Sequence, residues 1–413
     1  MSLTNHQDHG TGKGQSRIDS ELYEDMRGWR RHLHANPELG YQEHQTSAYI
    51  RSLLDGWGIP YETPLDTATV AHLRGSMNGP VLALRADIDA LPIQEESSVP
   101  YASTRPGVMH ACGHDGHTAI LLGLAKLMSE RRRSLRGEIR LVFQPAEELV
   151  DGGAHKLLRA GVLDGVTAIV GLHLSSNLAT GVIALDQGAV MASDDRFDIA
   201  IAGAGGHAGS PHTSSDALYV AATLVPQLHS LVARLVDPLE PAILSVGTLS
   251  AGDAYNAIPG HAQLSGTIRA LSPAVRDQLQ AELMELAAAH AAANGTQATV
   301  AYHRGSPPLI NDADLVTLVR PAAERAVGLE GVRSRKPVMA AEDFAFYSEV
   351  LPAAFAFIGA GDQGSFPHHH PRFDLREEAL DTGLRFLEGV VELWAAPEAP
   401  VPDLKSAHPK STV

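Results

Sequence analysis

One arrangement recurs along this chain. A short apolar run suited to a buried strand is followed, at its carboxyl end, by a residue able to bind a metal or move a proton. Val81–Ala86 (VLALRA) ends at Asp87-Ile-Asp89. Glu138–Gln144 alternates Ile139, Leu141 and Phe143, then breaks at Pro145 into Glu147-Glu148. Ala168–Leu172 ends at His173. Runs such as VLALRA suit strands buried on both faces, as in a helix-covered parallel sheet. In open α/β sheets, ligands bind beyond the carboxyl ends of the strands. Randomly scattered acids and histidines would not choose strand ends this often.

The densest cluster of such residues is 109–119, Met-His-Ala-Cys-Gly-His-Asp-Gly-His-Thr-Ala. It holds the only cysteine, Cys112, with His110, His114 and His117 about it and Asp115 between. A thiolate and an imidazole two residues apart in a Gly-containing turn can grip one divalent ion, and those ligands suit zinc and its first-row neighbours.

The remaining chain divides by texture. Residues 1–18 and 396–413 are polar or Pro-rich and read as disordered tails. Helices are expected at about 20–35, with Ser20 as N-cap, and at 43–55, stopped by Gly56. Another is expected over His117–Ser129. From Arg196 the pattern reads strand 196–202, helix 214–235, strands 242–249 and 262–270, helix 273–293 and strand 296–303. That β-α-β-β-α-β order is ferredoxin-like. The expected domains are therefore a larger α/β/α unit, 19–191 and 305–395, interrupted by a smaller one, 192–304. Later come a helix at 312–328 broken or kinked near Pro321, a helix opening at Glu342-Asp343, a strand at 354–359 and a last helix at 376–395.

Composition excludes some partners. The net charge of −16 argues against nucleic acid and anionic membranes, since a phosphate backbone needs a basic face. No run approaches the roughly 18–20 apolar residues that cross a bilayer. A lone cysteine forms no internal disulfide, so a reducing, cytoplasmic setting is expected.

Five metal donors can be collected from separate segments: Cys112, His114, Glu148, His173 and one of His368–His370. Five are too many for a tetrahedral zinc that must also hold water. They suit two ions sharing a bridging group, which can be a thiolate. Such a pair polarises a carbonyl and deprotonates water near neutral pH. Glu147, next to Glu148, is then placed as general base.

At this point the motifs HACGHDGHTA (110–119), QPAEE (144–148), GLH (171–173), GGHAGSPH (205–212), NAIPG (256–260), GTIR (266–269) and HHPRFD (369–374) together resemble the M20 metallopeptidase family. The branch is its amidohydrolase subfamily, which includes hippurate, N-acyl-amino-acid and auxin-conjugate hydrolases. The resemblance spans roughly residues 20–395. It implies a homodimer formed through a lid and dimerisation domain at 192–304, acting on a small N-acyl amino acid. It further implies two divalent ions (manganese, zinc, cobalt or nickel), with Cys112 bridging and His114, Glu148, His173 and His369 completing the ligands. His369 is chosen because the family's ligand stands two residues before a proline, here Pro371. Glu147 is the implied base. His207 is the implied oxyanion donor, reaching the partner subunit's site, and Asn256 and Arg269 are implied to hold the substrate's carboxylate side. Many relatives outside this branch use an Asp bridge; here Asp89 is expected only to support a ligand.

Overall fold

A computed structural model describes residues 19–395; the two expected tails lie outside the described residues. The larger sheet has eight strands, ordered Tyr61–Glu62, Thr69–Arg74, Arg136–Gln144, Met77–Asp87, Val166–Ala179, Ala353–Gly361, Ile183–Ala184 and Val332–Arg333. Its four central strands are mutually parallel. Thr69–Arg74, which joins them antiparallel, has no counterpart in the sequence expectation.

Side chains alternate between the two faces of these strands, as a pleat requires. Leu82, Leu84, Leu141, Val170, Leu172 and Ile358 enter one core, which also takes in helices Ser20–Ala35, His44–Gly56, His114–Glu130, Ala313–Val327 and Glu378–Ala395. Ala83, Val142, Ile169, Phe355 and Phe357 enter the other, with the short helices Gly153–Arg159 and Ala345–Ser348. Both faces are covered, so the fold is the helix-sheet-helix α/β arrangement that the apolar runs imply.

The smaller sheet is ordered Ala242–Ala251, His261–Ala270, Asp195–Ala202, Gln297–Arg304, with every neighbour antiparallel. Helices Ala217–Leu235 and Pro273–Ala293 complete the β-α-β-β-α-β order, and Ser272 caps the second. Phe197, Ile199 and Leu264 form a separate core with those helices. Where the chain enters and leaves this unit, buried Arg276 donates to both oxygens of Asp195 (2.6 and 2.9 Å) and to the Gly305 carbonyl.

Several local expectations are corrected. Asp19, not Ser20, caps the first helix: its carboxylate accepts from the Glu21 N–H. His173 lies inside a long strand, Val166–Ala179, not beyond its end. The third helix begins at His114, three residues before His117, because Gly113 adopts φ +93° and turns the chain immediately after Cys112. Glu342-Asp343 opens no long helix; one turn, Ala345–Ser348, follows. Ala313–Val327 runs through Pro321 unbroken. There Val319, Ala322, Ala323 and Ala326 stay buried, and a Cβ at Gly389 of the last helix would meet Ala322 at 2.9 Å. Close helix packing outweighs proline's local cost of about 3 kcal/mol.

Candidate metal centre

The expected donors arrive from five segments. Cys112 precedes the Gly113 turn, and His114 starts the helix that follows. Glu147 and Glu148 lie on the turn after Arg136–Gln144, His173 in Val166–Ala179, two strands away across the sheet, and His369 in the loop after Ala353–Gly361. Donor atoms of Cys112, His114 and His173 lie within 4.8 Å of one another, as do those of Cys112, Glu148 and His369. The two sets share one sulfur. His173 Nε2 is 3.5 Å from Cys112 Sγ, and His369 Nε2 is 3.2 Å from Glu148 Oε1.

Outer contacts aim these side chains. His114 Nδ1–H donates to the Asp89 carbonyl (2.9 Å), with the Asp89 carboxylate at 3.2 Å, leaving Nε2 directed inward. The other Asp89 oxygen accepts from the Glu148 N–H at 3.1 Å. His173 Nδ1–H donates to the Leu174 carbonyl, again freeing Nε2. Asp89 thus contacts two donors and belongs to neither set.

The histidine triplet separates by hydrogen bonding. His368 Nε2 accepts from the Ser176 N–H at 3.2 Å, so Nδ1, 3.9 Å from Cys112 Sγ, carries the proton. Its lone pair is spent away from the sulfur. Burial and neighbouring histidines hold its pKa down at about 3. His370 stacks on Phe366 and accepts from the Arg372 N–H. His369 is the member that faces both Cys112 and Glu148. It is held at φ +64°, and Ala146, before Glu147, at φ +55°. Left-handed conformations at non-glycine residues are costly and cluster at functional sites.

The chemistry of the site fits metal. His114 Nε2 and Glu148 Oε1 are buried without a hydrogen-bond partner among the described residues, although neighbours stand within 4.0 Å. Sulfur, imidazole and carboxylate together suit a borderline first-row dication. Burial and Glu148 push the Cys112 thiol pKa up, whereas a coordinated cation would hold it as thiolate. Glu147 is pushed well above the carboxylate range, first by burial, then by Glu342, Glu148 and Asp343. It sits 4.0 Å from His114 Nε2 and lines the same space.

Sequence reasoning missed the layer beneath. Arg85, inside the apolar VLALRA strand, contacts Asp87 (2.7 Å), Asp343 (2.8 Å) and Glu342 (3.0 Å), all buried. His117 donates from Nδ1 to Asp87 (2.7 Å) and accepts the Leu174 N–H at Nε2. Both its nitrogens are used, so it braces the strands instead of offering a ligand. Glu43 Oε1 accepts the Ala146 N–H (2.8 Å) and pins the strained residue before Glu147. A charged residue in a buried strand was the available signal for Arg85; nothing local marked Glu43.

A cleft of about 500 Å³ opens over the donors, lined by Cys112, Glu147, Glu148, His173, His369 and Arg269, among others. Arg269 Nη2 is 3.2 Å from Asp194, and Nη1–H donates to the Met339 carbonyl. His207 and Asn256 do not line this cleft. They lie together on an exposed two-stranded ribbon, Gly206–His207 with Ala257–Ile258, where the Ala208 N–H donates to the Asn256 carbonyl.

Comparison with known proteins points the same way. The description "Peptidase family M20/M25/M40" matches residues 83–393. An N-acetyl-L-cysteine deacetylase of Bacillus subtilis is 44% identical over 369 residues, covering 89% of this chain and 88% of the relative. The IAA-amino acid hydrolase ILR1-like 5 of Arabidopsis thaliana is 40% identical over 374 residues, covering 89% and 86%. A crystal structure of a dinuclear metal-binding peptidase of family M20 from Bacillus subtilis is 36% identical, with a TM-score of 0.80. It covers 90% of this chain and 98% of that one.

Proposed function

The chain belongs to peptidase family M20/M25/M40, and on that premise we propose that it hydrolyses N-acyl or N-aroyl amino acids to a carboxylic acid and a free amino acid. It is a hydrolase acting on amide bonds. The observation that supports the finer reading most is the pair of donor sets sharing Cys112, with Glu147 beside them. Relatives of comparable identity are named for N-acetyl-L-cysteine and for IAA-amino acids, so the broad acyl class is the appropriate statement.

In this reading Cys112, His114, Glu148, His173 and His369 hold two divalent ions. Bound there, the ions supply a polarised carbonyl and a water acidified toward neutrality. Glu147 takes the proton of the attacking water. When the C–N bond breaks, it returns a proton to the departing nitrogen. Burial and the neighbouring carboxylates Glu342, Glu148 and Asp343 raise its pKa, the direction that suits a group that must give back a proton as well as take one. Asp89 keeps the His114 ring oriented throughout.

Arg269 lines the cleft and is our carboxylate-side contact, with Asn256. His207 and Asn256 are exposed in the single chain, which suits groups contributed to a partner's site. A homodimer through residues 192–304 is part of this reading. The edge strand Ala242–Ala251 supports it, with Ile243 and Leu249 exposed. So do Leu218 and Tyr219, exposed on the first helix of the same unit. Among the described residues no helix is long and apolar enough to cross a membrane. A reducing, cytoplasmic setting completes the reading, because a metal-binding thiolate is readily oxidised.

The test is hydrolysis of N-acetyl-L-methionine and hippurate with manganese or cobalt, with and without chelator. Metal-dependent release of the free amino acid is expected. Turnover of dipeptides in preference to both would favour a metallo-exopeptidase, and no turnover of either class would refute the proposal.

A further inference from the structure

We propose that Arg335 binds a carboxylate of the substrate and thereby sets which acylated amino acids the cleft accepts; the proposal rests on the amide-hydrolase reading above. Arg335 and Arg269 are the two arginines lining the cleft among the described residues. They differ in electrostatic state. Arg269 already faces Asp194 at 3.2 Å, whereas Arg335 forms no ion pair among the described residues, and its Nη1 is buried without a hydrogen-bond partner.

Arg335 is half-buried, and in lacking an ion pair it is unlike the buried arginines of the fold. Arg30 meets Asp115 at 2.7 Å and Asp374 at 2.6 Å. Arg85 meets three carboxylates, and Arg276 takes Asp195. A buried donor left unmade is expensive, and a guanidinium presents a fixed fork of donors that matches a carboxylate in two parallel bonds. The cheapest completion of such a group in a substrate cleft is an anion delivered by the substrate.

Its surroundings hold it in place while leaving the fork free. The Arg335 N–H donates to Asp186 Oδ2 at 2.8 Å, and Ser334 Oγ–H donates to Asp186 Oδ1 at 2.7 Å. That carboxylate is hydrogen-bonded by backbone and hydroxyl; its charge acts on the guanidinium without forming an ion pair with it. The guanidinium lies 4.2 Å over the Phe357 ring, and that ring is 6.4 Å from the ring of His173, one of the proposed metal ligands. One aromatic ring thus separates the cation from the reacting end of the cleft. Burial lowers the Arg335 pKa by more than the nearby Asp186 charge raises it, in keeping with a cation that has lost water without gaining an ion pair.

The experiment compares wild type with R335M, which keeps an unbranched apolar side chain over Phe357, and R335K, which keeps charge without the fork. Three substrates are used. N-acetyl-L-methionine carries the α-carboxylate, N-succinyl-L-methioninamide carries one on the acyl group only, and N-acetyl-L-methioninamide carries none. For R335M we expect kcat/KM to fall about 10- to 100-fold on a carboxylate-bearing substrate, mainly through KM. The uncharged amide should stay within about twofold, and R335K should recover part of the loss. Loss confined to N-acetyl-L-methionine identifies the α-carboxylate, and loss confined to the succinyl compound identifies an acyl-end carboxylate; either supports the proposal. Equal losses on all three substrates, or none on any, would overturn it. If wild type turns over none of them, the function reading fails separately. Calorimetric titration of the metal-loaded proteins with N-acetyl-L-methionine and N-succinyl-L-methioninamide then decides the matter for Arg335. Weaker binding of either by R335M supports the role; equal binding, or no binding by wild type, overturns it.

Discussion

Replacing Arg85 by Met tests how far the acidic layer under the site depends on one buried cation. The side chain is fully buried and lies 2.7–3.0 Å from Asp87, Asp343 and Glu342. Removing one partner of a buried ion pair typically costs about 3–5 kcal/mol. Here three carboxylates lose their counter-charge at once, so that range should hold at pH 8 even though Met fills most of the volume. The loss should also depend on pH. With Arg85 present, burial already raises Glu342 to about 8 and Asp343 to about 6, while Asp87 is held well below the carboxylate range by His114, His117 and Arg85. Without Arg85, more of these groups keep a proton in the folded state than in the unfolded one. A native state that binds more protons gains stability as pH falls, by about 1.4 kcal/mol per pH unit for each additional proton. The deficit of the variant should therefore shrink by about 3 kcal/mol per additional proton between pH 8 and pH 6. Urea unfolding of chelator-treated protein followed by tryptophan fluorescence measures this. Trp29, Trp57 and Trp394, the only three tryptophans, all pack in the larger core, so the signal ignores the smaller unit. A deficit below about 1 kcal/mol at pH 8, or one identical at both pH values, would refute the reasoning.

Other expectations follow from the same geometry. Cys112→Ala should lower bound metal from two ions per chain to one or none, because both donor sets use that sulfur, and metal analysis after dialysis reads the number. By the same assay His369→Ala should lose metal while His368→Phe keeps it, since the His368 lone pair is already committed to Ser176; the opposite ranking would reverse the choice between them. Glu147→Gln should retain fold and metal while kcat drops about 100- to 10,000-fold, and near-normal turnover at full metal content would remove Glu147 as the base. Glu43 is buried with its pKa raised from 4.5 to about 7, so wild type loses stability as pH rises through that window. Glu43→Gln cannot ionise. Relative to wild type it should gain up to about 3 kcal/mol between pH 4.5 and 7 by urea unfolding, whereas a constant difference would contradict this account.

The sequence by itself determined the chemistry available and the local periodicities. A continuous apolar run locates the strand around Val81–Ala86, apolar alternation locates Glu138–Gln144, and the Ser272-Pro273 start and long helical stretch locate Pro273–Ala293 to the residue. These signals are legible because strand and helix periods act between near neighbours. The motif spacing likewise brings forward Cys112, His114, Glu147, Glu148 and His173 as candidates. What only the tertiary structure decided is which atoms of these residues remain free. The resemblance picks His369 by its spacing from Pro371; what the sequence does not show is that an N–H from Ser176, nearly two hundred residues away, occupies His368 Nε2. Arg85 reads as one polar interruption of an apolar strand until residues 342 and 343 fold onto it, and Arg335 reads as an ordinary loop arginine until partial burial leaves its Nη1 without a hydrogen-bond partner. Hydrogen bonds and charge pairs are satisfied or left open by groups far apart in the chain. Their outcome is a property of the packed structure, where low polarity makes each unmet partner expensive.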